Sequence, residues 1–381
     1  MAWAYVISSS DRESFKRCRR AWDLGSRVRQ NYEPVKPMRV FSFDRAIHDA
    51  LAVYYFPGMW EWNRAIVLPL VLEGFLKSMT KQRNKYANEQ ELSSEENESW
   101  NEHLKLGENI LKQYFAWAPT VDRFAPIQVE TEFEVNIPDP QRPGQDLTVT
   151  ESVPILPIRY RGRIDLLVVD QHNGYWLLDH RLAVQRWEDT DHLSLDELGV
   201  SYCWALENFY PGMKIAGTIY NELYIDTRHG HGTTAKVNLA TRDDEETKHE
   251  KSPTVQNRRI YLQAIREPDP FINQQGNEFF RRTQIPRKRN EIENFGTQIV
   301  QEAMDIVNPG TWLYPNPSVE NCSSCVFRRP CIAMNQGSDA GSILEISYRK
   351  RDEEQVEEGR LGGSTWSIDR GAMPPGWRRK Q

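Results

Sequence analysis

The chain has 381 residues, 39% hydrophobic and 27% charged, with twelve Trp, fifteen Tyr and fourteen Phe. That balance excludes a disordered chain, and the length admits one large domain or a core with sizeable insertions. A net charge of −6 argues against indiscriminate polyanion binding but leaves room for a local basic groove. Residues 1–10 lack the basic start and apolar run of a signal peptide. The most apolar stretch, 65–72, is too short to span a bilayer and contains Pro69. The expected location is therefore cytoplasmic, where structural disulfides are rare, so the five cysteines need another explanation.

In chain order, Ser10 and Glu13 read as a capping box opening a helix with Phe15, Cys18 and Trp22 on one face. Basic residues crowd this segment: Arg12, Lys16, Arg17, Arg19, Arg20, Arg27 and Arg29. Residues 52–125 read as helical and aromatic, interrupted by the polar stretch 81–101. From Pro126 the pattern turns to strands. Ile127–Ile137 alternates with period two, and the Pro-, Gly- and Asp-rich residues 138–152 form a turn or flap. Ile158–Asp170 is a buried strand that carries Gly162 and Asp165. Gln171–Gly174 is a hairpin turn, and a third strand from Tyr175 ends in Asp179, His180 and Arg181.

A second capping box, Ser194 with Glu197, starts a helix with Leu198, Tyr202, Ala205 and Phe209 on one face. Pro211-Gly212 stops it, and Ile215–Ile225 is a fourth strand. Residues 228–255 read as an exposed, charged insertion. Residues 256–306 read as helical, with Arg281, Arg282, Arg287, Lys288 and Arg289 offering a wall for a DNA backbone or simply a solvated face. Beyond Met334 periodicity vanishes. Residues 336–381 read as a flexible tail in which Trp366 and Trp377 could anchor a protein partner.

Two groups of residues suggest chemistry. Cys322, Cys325 and Cys331 lie within ten residues, and a C-x2-C pair with a third thiol nearby is a metal-ligand arrangement. The fourth ligand is Cys18 or Cys203, of which Cys203 sits mid-helix and reads as packing. Spacing alone admits zinc or a 4Fe–4S cluster. Asp165 and Asp179 stand at corresponding ends of adjacent strands, where they could hold Mg2+ or Mn2+ or merely face water.

Taken in order, these pieces resemble the RecB-like branch of the PD-(D/E)XK nucleases. They are Phe15-x-x-Cys18-Arg-Arg, His48 in Ala46-Ile-His48-Asp-Ala-Leu51, Gly162-Arg-Ile-Asp165, Leu178-Asp179-His180-Arg181, the helix with Tyr202, and the late cysteine trio. The likeness extends to CRISPR-associated iron–sulfur exonucleases and phage-encoded relatives and covers residues 8–335. It implies a mixed α/β, restriction-endonuclease-like core in one domain, 1–335. A helical part would occupy about 45–125, the central mixed sheet 126–226, and a helical and cluster part 256–335.

The resemblance further implies a metal-dependent DNA exonuclease acting on single-stranded or duplex ends. His48, Asp165, Asp179 and the carbonyl of His180 would hold Mg2+ or Mn2+, with Glu130 a further candidate for the metal shell or for positioning water. Arg181 and Tyr202 would complete the catalytic set. Cys18, Cys322, Cys325 and Cys331 would hold a 4Fe–4S cluster that clasps the two ends of the chain. Two positions depart from the family pattern. Arg181 stands where the family has lysine, and arginine stays protonated and cannot act as a base. Leu198 stands where relatives carry glutamine. Both leave open a degenerate fold that binds DNA or protein without cutting.

Overall fold

The computed structural model describes residues 4–36, 40–149, 155–183, 190–225 and 272–351. A mixed sheet runs through the middle, with helices on both faces, as the sequence leads one to expect. Its spine is β5 (Leu156–Asp170). One edge of β5 is paired antiparallel by the long β3 (Phe124–Asn136). The other edge is shared. β1 (Tyr5–Ser8) runs parallel along residues 158–161, and β6 (Tyr175–Ala183) runs antiparallel along residues 166–169. Between them, from Gly162 to Asp165, the sheet is split.

β7 (Ile215–Tyr224) extends the sheet from β6 in parallel, and β9 (Phe280–Pro286) and β8 (Asn273–Gly276) complete it. The two-residue β4 (Thr148–Val149) pairs with the start of β5. The β5–β6 turn is held by Asp170, whose carboxylate accepts from the backbone of His172 (2.8 Å) and Gly174 (2.7 Å) and from the Trp176 indole (2.8 Å).

Helices α3 (Phe43–Tyr54), α4 (Arg64–Glu89) and α5 (Ser94–Val121) cover one face, burying Ile47, Leu51, Phe75 and Tyr114 against Leu166, Val168 and Leu178. The opposite face carries α1 (Ser9–Arg17), α7 (Glu197–Phe209) and α8 (Arg289–Val307), with Phe133, Tyr160, Ile164 and Leu177 beneath them. α2 (Arg19–Gly25), the one-turn α6 (Asp191–Ser194) and the short α9 (Val319–Ser323) and α10 (Arg328–Gln336) lie at the periphery. Among the described residues no helix is long and apolar enough to cross a membrane.

Several expectations are corrected. The first helix is capped by Ser8 with Asp11, not Ser10 with Glu13, and it breaks at Cys18, whose extended backbone separates α1 from α2. The later cap is Asp196, which accepts from Gly199 N, not Ser194. The polar stretch 81–101 is mostly helical, because its charges line the solvent faces of α4 and α5 and only residues 90–93 interrupt them. The stretch 256–306, expected to be helical, holds strands β8 and β9 before α8 begins at Arg289. Its Arg281, Arg282 and Arg287 are buried rather than forming a basic wall, with Arg281 paired to Glu222 inside the sheet. Charge counting misses this because every one of these cations meets an internal acid, phenol or carbonyl. The chain also stays folded past residue 336: α11 (Ala340–Ser347) leads into β10 (Tyr348–Lys350), which pairs with β2 (Tyr32–Pro34). Elements this short show no full period. The expected insertion 228–255 and both Trp366 and Trp377 lie outside the described residues.

Candidate metal centre

The side-chain alternation of β5 breaks once. Ile158, Tyr160 and Ile164 face α7, whereas Leu166 and Val168 face α3. β3 breaks opposite it, since Phe133 and Val135 face α7 and Val129 faces α3. The two breaks meet at Glu130 and Asp165. Glu130 adopts φ 46°, a left-handed conformation unusual for a non-glycine residue within a strand and typical of a strained functional position. The kink aims both carboxylates into the split between β5 and β6.

His48 enters the same place from α3. Ser42 caps that helix by accepting from Arg45 N, and Ile47, Ala50, Leu51 and Tyr54 bury its inner face, leaving His48 on the flank over the split. His48 Nδ1 lies 3.4 Å from Asp165 Oδ1 and 4.0 Å from Glu130 Oε1, and His48 Nε2 lies 3.7 Å from Asp44. Each of His48, Glu130 and Asp165 offers a ligand atom within 4.8 Å of the others. Asp165 Oδ2 accepts the backbone N–H of His180 (2.7 Å), so the carboxylate replaces a missing strand-to-strand bond where β6 leaves β5.

Electrostatics follow from this crowding. Burial and the Asp165 charge push the Glu130 carboxyl up to about 7. His48 and Asp165 act as an ion pair. Against the penalty of burial, each charge stabilises the other, raising the imidazole to about 10 and lowering the carboxyl to about 2. Burial holds His180 neutral and takes it down to about 3.

The donor set fits a hard divalent cation. Two carboxylates and an imidazole converge, and Glu130 Oε2 is buried without a hydrogen-bond partner, although Arg163 Nε stands 2.9 Å away as a counter-charge. Here a bound cation would supply polarisation of a phosphate oxygen and a water of lowered pKa.

The other expected site residues are placed differently. Asp179 lines a small cavity with Asp165, Leu198 and Tyr202 but is not within the 4.8 Å group. Its carboxylate accepts from Arg181 Nε (2.5 Å), and burial still raises it to about 6. Arg181 also donates to Asp196 (2.9 Å) and lies over the Tyr220 ring. Tyr202 donates to Ser9 (3.0 Å), and its ring packs edge-on against Phe133. Asp196 escaped the sequence reading, although its place just before α7 is a capping signal. Asn221 escaped it too, being a polar residue inside a strand with no local pattern to mark it, whereas Arg282 was read only as part of a basic face.

The four expected cluster cysteines share one corner of the molecule. Burial raises the Cys325 pKa, and the nearby Cys18, Cys331 and Cys322 add to the rise. Cys18 Sγ accepts from Asn316 N (3.4 Å), and Cys331 Sγ from Arg20 (3.7 Å). Among the described residues no three of these sulfurs gather within 4.8 Å, although thiolates around tetrahedral zinc, with bonds of about 2.3 Å, would stand closer than that. Cys203 lies on the buried face of α7, packed into the core, as the sequence leads one to expect.

The kinked strands, the split in the sheet and the convergence of two acids with an imidazole make a group that could hold a metal ion. The family model of the PD-(D/E)XK nuclease superfamily matches residues 6–332, and the chain belongs to that superfamily. Its nucleases usually work with divalent metals. No curated protein matches the chain significantly.

Proposed function

We propose that this protein is a Mg2+- or Mn2+-dependent deoxyribonuclease of the RecB-like kind, an exonuclease that works on DNA ends in DNA processing or recombination. The observation that carries the reading is the convergence of His48, Glu130 and Asp165 in the split of the sheet. In this reading the metal is held by His48, Asp165 and Glu130, with the His180 carbonyl and Asp179 completing its surroundings. Tyr202 and Leu198 form the floor on the α7 side. Cys18, Cys322, Cys325 and Cys331 hold a 4Fe–4S cluster. The N–H donors aimed at two of the sulfurs, and the influence of the other three thiols on Cys325, support it.

The test is cleavage of single- and double-stranded DNA with Mn2+ or Mg2+, by anaerobically purified protein beside Asp165→Ala. Metal-dependent cutting that vanishes in the variant is expected.

A second reading, a degenerate fold that binds DNA or assembles with protein, is favoured by one observation. Arg181, in the family's lysine position, is tied down by Asp179 and Asp196. Absence of cutting by folded, iron-loaded protein would select it.

A further inference from the structure

Arg163 stands at the rim of the metal centre, and neither the metal ligands nor the fold accounts for it. It lies in the stretch of β5 that β1 has already left and β6 has not yet joined. Ile158, Tyr160 and Ile164 face α7, so Arg163, like Arg159 and Arg161, is on the other face, where α3 brings in His48. Its Nε lies 2.9 Å from Glu130 Oε2, yet that oxygen accepts no hydrogen bond, so the N–H is close to the carboxylate without being aimed at it. A third of the arginine side chain is exposed (33%) against 6% of the glutamate's. The arginine therefore stands between the buried acid and solvent, on the side from which a substrate arrives.

The arginines around it are spent on the protein itself. Arg159 and Arg161 both donate to Glu134 (2.9 Å each). Arg181 is held by Asp179 and Asp196, and Arg282 by Asp122 and Asn221. Among the described residues the Arg163 side chain makes no hydrogen bond, which leaves the five N–H groups of its guanidinium unspent. A cation that served only to neutralise Glu130 would align with it, as Arg161 aligns with Glu134 through two N–H groups.

The charges of the site say what those donors meet. With a divalent cation held by the carboxylates of Glu130 and Asp165, and with Asp179 and Arg181 cancelling each other, Arg163 leaves one positive charge in excess. A phosphodiester carries one negative charge, and the planar guanidinium fork matches two of its oxygens. We propose that Arg163 is a substrate-binding residue of the centre, donating to the non-bridging oxygens of the scissile phosphodiester. It supplies the cation beside the reacting phosphate that Arg181, engaged with Asp179 and Asp196, does not. A donor set beforehand against oxygens that gain charge in the transition state is an effective form of electrostatic catalysis.

The proposal rests on the nuclease reading, so binding and cutting are measured separately on wild type, Arg163→Gln and Arg163→Lys. Affinity for a single-stranded DNA oligonucleotide is read in fixed Ca2+ over a range of KCl, cutting in Mn2+, and Mn2+ affinity by calorimetry without DNA. Arg163→Gln should bind DNA about tenfold more weakly and cut about a hundredfold more slowly. Its Mn2+ affinity should hold or rise, because a repelling cation has gone. Its log affinity should fall less steeply with log salt, by up to about 0.7, the share of one phosphate contact on a single strand. Arg163→Lys keeps the charge without the fork, and should restore the salt slope but only part of the cutting. A purely structural counter-ion moves neither slope nor affinity. Arg163→Gln that melts lower yet binds DNA with wild-type affinity and slope overturns the assignment, as does a loss of Mn2+ affinity that explains the whole effect. If wild type binds DNA without cutting it, the nuclease reading fails, and affinity and slope still decide the role of Arg163. Wild type that binds no DNA leaves Arg163 nothing to hold and overturns the assignment.

Discussion

At the scale of single residues, the candidate metal-binding group of His48, Glu130 and Asp165 should shape how stability responds to pH. His48 is raised from 6.5 to about 10, so its stabilising charge is complete below 6.5 and is lost as pH rises toward 10. Glu130 is raised from 4.5 to about 7. The folded state therefore keeps a proton that the unfolded chain releases, and stability again falls as pH rises through that interval. Asp165, lowered from 3.8 to about 2, stabilises above 3.8 and loses that contribution only as pH falls toward 2. The melting temperature of the metal-free protein should consequently drop as pH rises from about 6.5 toward about 10. A divalent cation needs His48 and Glu130 without their protons, so its stabilising effect should grow over the same range and its binding should release protons. Calorimetric melting with and without Mg2+ checks this, and a Mg2+ increment that does not change with pH would place the ion elsewhere. Arg181 supplies a second test. Arg181→Ala leaves Asp179 and Asp196 facing each other without a cation, at a cost of about 2 kcal/mol once partial exposure is allowed for. Urea denaturation measures it, and a neutral result would mean that the pair is solvated rather than structural.

At the scale of elements, the site depends on how β3, β5 and β6 part company. Gly162 stands at the start of the split. A methyl group there would come within 2.4 Å of Phe133 Cζ and 2.7 Å of Tyr202 Cε1, so its absence lets α7 lie close against β5. Gly162→Ala should destabilise by roughly 1–3 kcal/mol and push Tyr202 away from Asp165 and Asp179. The change in denaturant midpoint and quenching of the aromatic signal would show it, and an unchanged midpoint would mean that α7 yields freely. The same strands show what was legible in the sequence and what was not. Alternation and the Gln171–Gly174 turn exposed β3, β5, β6 and their order, and Asp165 stood out as an acid between the apolar residues Ile164 and Leu166. The paired breaks at Glu130 and Asp165 were not legible, since alternation read one strand at a time carries no sign of a kink shared by two. Cys18 illustrates the same limit. Helical spacing ran one helix through it, whereas the helix breaks there, and Asn316 donates to both the Cys18 sulfur and the Arg17 carbonyl across the break. The cations at 281–289 misled for the opposite reason, because charge was visible in sequence and its buried partners, up to 227 residues away, were not.

At the scale of the whole molecule, residues 17–33 and 316–351 are tied together by hydrogen bonds, ion pairs and packing. Asn316 and Asn321 donate to the Arg17 carbonyl, Arg349 pairs with Glu33, and Arg351 donates to the Gly25 carbonyl. Leu24, Phe327, Leu344 and Tyr348 form a small core beneath them. These contacts already close the loop that a cluster on Cys18 and the late trio would close. Cross-linking a loop of some three hundred residues in the unfolded chain is worth up to roughly 5 kcal/mol in the chain-entropy view. A cluster that assembles only on the folded corner adds to the clasp without creating it. Removing it should therefore lower the melting temperature and leave the sheet standing. Anaerobically purified protein should contain about four irons per chain, and Cys18→Ala should lose them and melt several degrees lower while keeping the far-ultraviolet dichroism of the wild type. Complete unfolding of Cys18→Ala would show that the contacts of Arg349, Arg351 and the small core cannot hold the ends unaided. Wild-type protein that binds zinc, or no metal at all, would remove the cluster from the account and leave the clasp to those contacts alone.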